Sequence, residues 1–434
     1  VTRLPHDVAV EDVLDGDVPP VPAKPTRTRF TRRRDLVAAS LLVVALLTAA
    51  TLLWRDSDFR ATTSTTADTP ATTPPAPRSV PATLTEVWRA DSPATRTPTT
   101  AGPSVITGQA GDVHGRDPLT GAIRWTYHRD LPLCTVGTAW TRAVAVHRTD
   151  GGALPESDPR HRGGCSEVSS LDGATGTLEA TRNSDAEPDT HLLAGGAHLT
   201  TTGTHLLTTW HSNLVKSLEY GLVPTPVNPD RQPRPGCTHR STLASANSIA
   251  VIERCAEEPA DRLTVLKAVP EDADEPEVIT SRLLPTDRAT LVAMTDHATA
   301  IALPDPDRIA VYDEQGIEDH SHPLPLGAIP QPPTPLTTTA IGAFHWFTGT
   351  DTIALSTADL HPLWTTRNTL GPAATLAGHA LVPVPEGLAV IDQSTGERVN
   401  TIPVDRSGYK GPVTITSIGP VVLEQRGPTL VALR

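Results

Sequence analysis

Residues 111–127 read GDVHGRDPLTGAIRWTY, and residues 387–402 read GLAVIDQSTGERVNTI. Each stretch is a short run of strand-forming residues, the five residues D-x-x-T-G, and a second such run. A third copy, Asp172-Gly-Ala-Thr-Gly176 followed by TLEATR, has the same layout. The chemistry of the five residues explains the pattern. An aspartate side chain accepts backbone N–H groups just ahead of it, and a glycine supplies the positive φ that reverses the chain. Asp117 with Gly121, Asp172 with Gly176 and Asp392 with Gly396 are therefore predicted to close hairpins.

Working outward, looser versions occupy the gaps: HLLTTWHSNLVKSLEY at 205–220, LTVLKAVPEDADEPEVITS at 263–281, IAVYDEQGIEDHS at 309–321 and IALSTADLHPLWTT at 353–366. Successive turns lie about 35 to 59 residues apart, bracketing the length of a four-stranded propeller blade. The two ends complete the pattern. TLTEVWRAD at 83–91 is an outer strand without a blade, and VTITSIGPVVLEQRGPTLVALR at 413–434 offers three strands without a fourth. Pairing them would close a ring and remove both exposed sheet edges. The expected fold is all-β, a β-propeller over residues 84–434 with eight four-stranded blades, seven being the alternative because the 205–220 unit is poorly marked.

The repeats carrying D-x-x-T-G and a Trp-bearing outer strand resemble those of the PQQ-type quinoprotein β-propellers. That resemblance implies the fold. The quinoprotein dehydrogenases also carry two adjacent cysteines above their cofactor, whereas this chain has no adjacent pair and a much shorter domain, so no PQQ or other cofactor is expected. Relatives in form include a docking subunit of the outer-membrane barrel-assembly machinery. The resemblance thus implies a scaffold or protein-interaction module more than an enzyme.

Composition agrees with a loop-rich β domain: 43 prolines and 30 glycines, only 3% aromatic residues, and a single methionine, so that Val, Leu, Ile and Ala must build the core around seven tryptophans. The net charge of −13 divides into +1 over residues 1–54 and −14 after them, which argues against nucleic acid as a partner.

Leu36 to Leu53, LVAASLLVVALLTAATLL, contains no charge, follows Arg27, Arg29, Arg32, Arg33 and Arg34, and is followed by Trp54. As a helix it would rise about 27 Å, close to the thickness of a hydrocarbon core. Arginines before it and an aromatic ring after it orient the N-terminus toward the cytoplasm. The alternatives are a buried core helix and a cleaved signal peptide. The run exceeds the usual apolar length of a signal peptide, although Thr48-Ala49-Ala50-Thr51 offers small residues for cleavage. The organisation expected is a disordered basic tail at 1–35, a transmembrane helix at 36–54 contacting the lipid bilayer, a Thr/Pro/Ala-rich linker at 55–83, and an extracytoplasmic propeller from 84 to 434.

All four cysteines lie in the propeller, as an oxidising compartment would favour. Three pairings are formally open. Cys134 with Cys165 and Cys237 with Cys255 are preferred because each pair then falls within one blade.

No nucleophile elbow, P-loop or H-E-x-x-H is present, and no catalytic residue is assigned. For metals the expectation is none, with His320 and His322 as the pair that would hold one: two residues apart on a strand, they share a face beside Asp313 and Glu314. A solvated outer strand accounts for the same residues. The expected function is a membrane-anchored interaction module for envelope or membrane proteins. The alternative is a ligand sensor or enzyme using polar groups in the central channel, and a transmembrane signal transducer stands third.

Overall fold

The computed structural model describes residues 33–55, 60–149, 164–224, 226, 228–325, 329, 334–340 and 342–434. The chain divides into two compact units, one ending at Arg60 and one spanning Ala61–Arg434. Most of the tail expected at 1–35 lies outside the described residues.

Among its described residues the first unit contains one helix, Arg33–Arg55, with a mean hydropathy of 2.6 over its most apolar window and no buried residue. It is long and apolar enough to cross a membrane. The hydroxyls of Thr48 and Thr51 donate to the carbonyls of Val44 and Leu47 at 2.8 and 2.6 Å. Those bonds satisfy both side-chain hydroxyls within the helix.

The second unit is an eight-bladed β-propeller. Blades 1 to 7 take their four strands in sequence order, beginning with blade 1 at Thr99–Ala101, Ser104–Gln109, Asp112–Arg116 and Ile123–Arg129. Blade 8 joins the last three strands, Val413–Ile418, Val421–Arg426 and Thr429–Leu433, to Glu86–Asp91, with Trp88 opposite Ala432. The ring is thus closed by its two ends. The poorly marked 205–220 stretch supplies two strands of blade 3, Leu206–Trp210 and Lys216–Gly221.

Antiparallel strands place the connections within each hairpin on alternating faces. Turns between strands one and two, and between three and four, form one face, here the turn face. Connections between strands two and three, and from blade to blade, form the loop face.

Side chains from adjacent sheets interleave to make the core. Between blades 1 and 2, Ile106, Val113, Trp125 and Tyr127 meet Val136, Ala143, Ala145 and Leu171. Between blades 5 and 6, Val292, Ala300 and Val311 meet Trp346, Ile353 and Leu355.

The linker expected at 55–83 is not a free spacer along its whole length. Thr62–Thr65 pairs with Ile123–Arg129 as a fifth strand on blade 1. Beyond it, Ala67 donates its N–H to the Thr175 carbonyl at 2.9 Å, Arg124 donates to the Thr69 carbonyl at 2.8 Å, and Val80 packs against the apolar cluster of blades 7 and 8. The Thr-rich composition offers little to bury, but β-branched residues suit a strand, and an outer blade edge presents unpaired backbone groups for a strand to satisfy.

Candidate functional site

The inner strands enclose a central channel whose loop-face mouth is a cavity of about 250 Å³. Arg96, in the connection that enters blade 1, and His191, in the connection that enters blade 3, face it together with Thr99, Thr135, Thr334 and Thr337. Several of these hydroxyls already hold the ring together. Thr337 donates to the Val292 carbonyl of blade 5, and Thr338 donates to the Ala373 carbonyl ahead of blade 7, both at 2.6 Å.

Arg96 donates to the Thr334 carbonyl, and among the described residues it forms no ion pair. Burial lowers its pKa to about 10, so the guanidinium stays charged at neutral pH. Burial, reinforced by the positive charge of Arg96, holds His191 below the usual imidazole value and keeps it neutral. One cation, one neutral imidazole and a ring of hydroxyls make a mouth suited to an anionic group. At its turn-face end the channel is lined by small residues such as Ala194, Gly195 and Ser245 together with Met294, Asp296 and Phe344.

The loop face is braced around this mouth. Cys134 and Cys165 are joined at a Cα separation of 6.0 Å, and Cys237 and Cys255 at 4.3 Å. Beside the second disulfide, Arg234 donates to Glu253 at 2.6 Å and to Glu258 at 2.7 Å, while Tyr220 donates to Glu253. Burial raises the Glu253 carboxyl, with the bonds from Tyr220 and Arg234 opposing that rise. Cys237, Glu253 and Cys255 cluster closely enough to suggest a metal, but the two sulfurs are bonded to each other and offer no thiolate.

The turn residues lie on the opposite face. Asp117 Oδ1 accepts the N–H groups of Leu119 and Thr120, Asp172 Oδ1 those of Ala174 and Thr175, and Asp392 Oδ1 those of Ser394 and Thr395. Gly121, Gly176 and Gly396 have φ of 71°, 75° and 73°. Their second role is not visible locally in the sequence. Trp88, Trp125 and Trp364, on the outer strands of blades 8, 1 and 6, each donate the indole N–H to a carbonyl in the next blade's turn, at Pro118, Gly173 and Gln393. Each ring packs on the turn's glycine, so the motif is also a tie between blades.

His320 and His322 lie on the outer strand of blade 5, Glu318–Pro323, with their rings 5.2 Å apart. Sequence reasoning missed Arg96, His191 and the inter-blade neighbours of these histidines, because each partner comes from a different blade.

No family model and no curated protein matches the chain. Among solved structures it is similar to the dihydro-heme d1 dehydrogenase NirN in complex with DHE, at 12% identity and a TM-score of 0.50, covering 80% of this chain and 76% of that one. It is also similar to BamB from Moraxella catarrhalis, at 17% identity and a TM-score of 0.48, covering 81% of this chain and 99% of that one. At 12% identity, the likeness to the dehydrogenase shows the fold alone.

Proposed function

We propose that this chain is a membrane-anchored docking module, with its propeller outside the cytoplasmic membrane and its loop face receiving an envelope protein that presents an acidic group to Arg96. The observation that carries the reading is the asymmetry of the two faces. The turn face is built of short hairpins and is partly overlaid by the chain's own residues after Thr65. The loop face carries the long, disulfide-braced connections and the mouth holding a half-buried guanidinium without a carboxylate partner among the described residues. Irregular segments on a rigid scaffold are where binding surfaces concentrate. The apolar helix and two disulfides support an anchored domain in an oxidising compartment, and the arginines before the helix support a cytoplasmic N-terminus.

The test is site-specific photo-crosslinking in intact cells from Thr97 and Pro188 on the loop face, and from Leu119 and Ser394 on the turn face. A defined envelope protein crosslinked from the loop-face positions, and lost on Arg96→Glu, is the expected result. Crosslinks confined to the turn face, or unaffected by Arg96→Glu, would overturn the docking surface. Protease added outside spheroplasts should digest the propeller, and protection there would reverse the orientation.

The same unpaired Arg96 favours one second reading, a small anionic ligand in the channel mouth. Equilibrium dialysis with inorganic phosphate and small dicarboxylates separates the two, since a docking site alone retains neither.

A further inference from the structure

Every blade has a bulge at one place on its outer hairpin, and in three blades the outer-strand residue paired beside it reaches the neighbouring blade. In blades 1, 6 and 8 that residue is tryptophan, Trp125 opposite Gly115, Trp364 opposite Ala354 and Trp88 opposite Ala432, and in blades 2, 3, 4 and 7 it is Ala180, Leu218, Thr280 and Asn400. In blade 5 it is His320, opposite Val311. No indole ties blade 5 to blade 6 at this position. Imidazoles stand there instead, since His322 follows on the same face and His361 comes from the turn of blade 6, its ring 6.5 Å from that of His322.

The hydrogen bonds of these rings decide what they can do. Asp319 holds His320 through Nδ1 at 3.0 Å, and Asp359 holds His361 through Nδ1 at 2.6 Å. A carboxylate on Nδ1 fixes the tautomer whose lone pair lies on Nε2, the arrangement that supports histidine as a metal ligand. Nε2 of His322 is buried and has no hydrogen-bond partner among the described residues. Two oriented donors and one unsatisfied donor atom therefore face the junction of two blades, with the three ring nitrogens farther apart than ligands of one ion until His361 turns inward.

We propose that His320, His322 and His361 bind a divalent transition metal of the zinc class through Nε2, bridging blades 5 and 6. Imidazoles binding zinc at about 2.0–2.1 Å in tetrahedral geometry have ring centres about 5 Å apart. The His320–His322 separation of 5.2 Å meets this. The 6.5 Å between His322 and His361 must shorten by a rotation of His361 that keeps its Asp359 bond, and the ring's 43% exposure leaves room for it. Three imidazoles leave the fourth position to water. The metal would serve at this junction as Trp88, Trp125 and Trp364 serve at theirs.

The experiment uses the full chain in detergent without a polyhistidine tag, titrated with cobalt(II) alone and followed by its visible absorption. The expected result is one cobalt per chain with the intense bands of tetrahedral coordination, displaced by zinc. His322→Gln and His361→Gln should abolish those bands. Asp359→Asn should weaken binding by about 10–100-fold, the range for losing a carboxylate behind a ligating histidine. His211→Gln and His379→Gln are the controls and should change nothing. Zinc should also raise the thermal midpoint of the parent protein and not that of His361→Gln, with circular dichroism showing both folded without metal. Binding that survives His361→Gln, or no saturable tetrahedral signal from the parent protein, would overturn the proposal.

Discussion

Single side chains in this molecule act mostly across blade boundaries. An added Cβ at Gly176 would sit 2.6 Å from the Trp125 ring, and its φ of 75° strains any L side chain. Gly176→Ala must therefore displace an indole that is fully buried and bonded to Gly173. The expected cost is about 2–3 kcal/mol, read as a lower urea midpoint with unchanged slope. Buried histidines set a second residue-scale property. Burial pushes His147 and His345 down to about 4, and neither ring nitrogen of His345 has a hydrogen-bond partner among the described residues. Between about pH 6.5 and 4 the unfolded chain binds protons on these rings that the folded chain does not. Stability from this source is complete above pH 6.5 and falls as the pH drops toward 4, by at most about 3 kcal/mol per histidine. His345→Phe should keep neutral-pH stability and flatten the acid limb of a stability profile measured by urea unfolding at successive pH values. An equally steep limb would assign the acid loss to other groups.

At the scale of strands and loops, the disulfides tie the long connections to the blade sheets. Cys134 and Cys165 are separated by 31 residues, and both belong to strands of blade 2. Closing a loop of that length removes chain entropy worth about 3–4 kcal/mol. The Cys134→Ser/Cys165→Ser double variant should lose about that much, and adding reductant to the parent protein should approach the same value for this bridge. How far these elements could be read in advance depended on how local their causes are. The D-x-x-T-G hairpins are set by contacts among five successive residues, and the sequence shows them directly. The Thr-rich stretch reads as a spacer because it has nothing apolar to bury, yet Thr62–Thr65 becomes a strand through backbone pairing with Ile123–Arg129, which no side-chain pattern announces. The same holds for His361, whose neighbours in sequence say nothing of His322, which it approaches from the next blade.

For the molecule as a whole, closure of the ring is the step on which cooperativity rests, and it depends on residues at opposite ends of the propeller sequence. Glu86–Asp91 completes blade 8, Trp88 reaches from it to the turn of blade 1, and a buried amide network continues the seam: Gln425 donates to the Ser92 carbonyl at 3.2 Å, and Ser92 Oγ accepts the Gly108 N–H at 3.0 Å. A propeller without that strand keeps all its other hairpins but exposes the Thr429–Leu433 edge and the apolar side chains between blades 8 and 1. The two blades flanking the break then each depend on one neighbour and not on two, so unfolding can start there and spread as it does in a linear repeat array. Deleting Glu86–Asp91 should therefore broaden the thermal transition, lower its midpoint and promote association through the bare edge. Deleting Thr62–Thr65 is the matched control, because that strand also lies outermost on a blade but closes nothing. It should shift the midpoint little and leave the transition sharp. Calorimetry and light scattering on the two deletions decide the matter, and equal effects would mean that the ring's cooperativity does not depend on its seam.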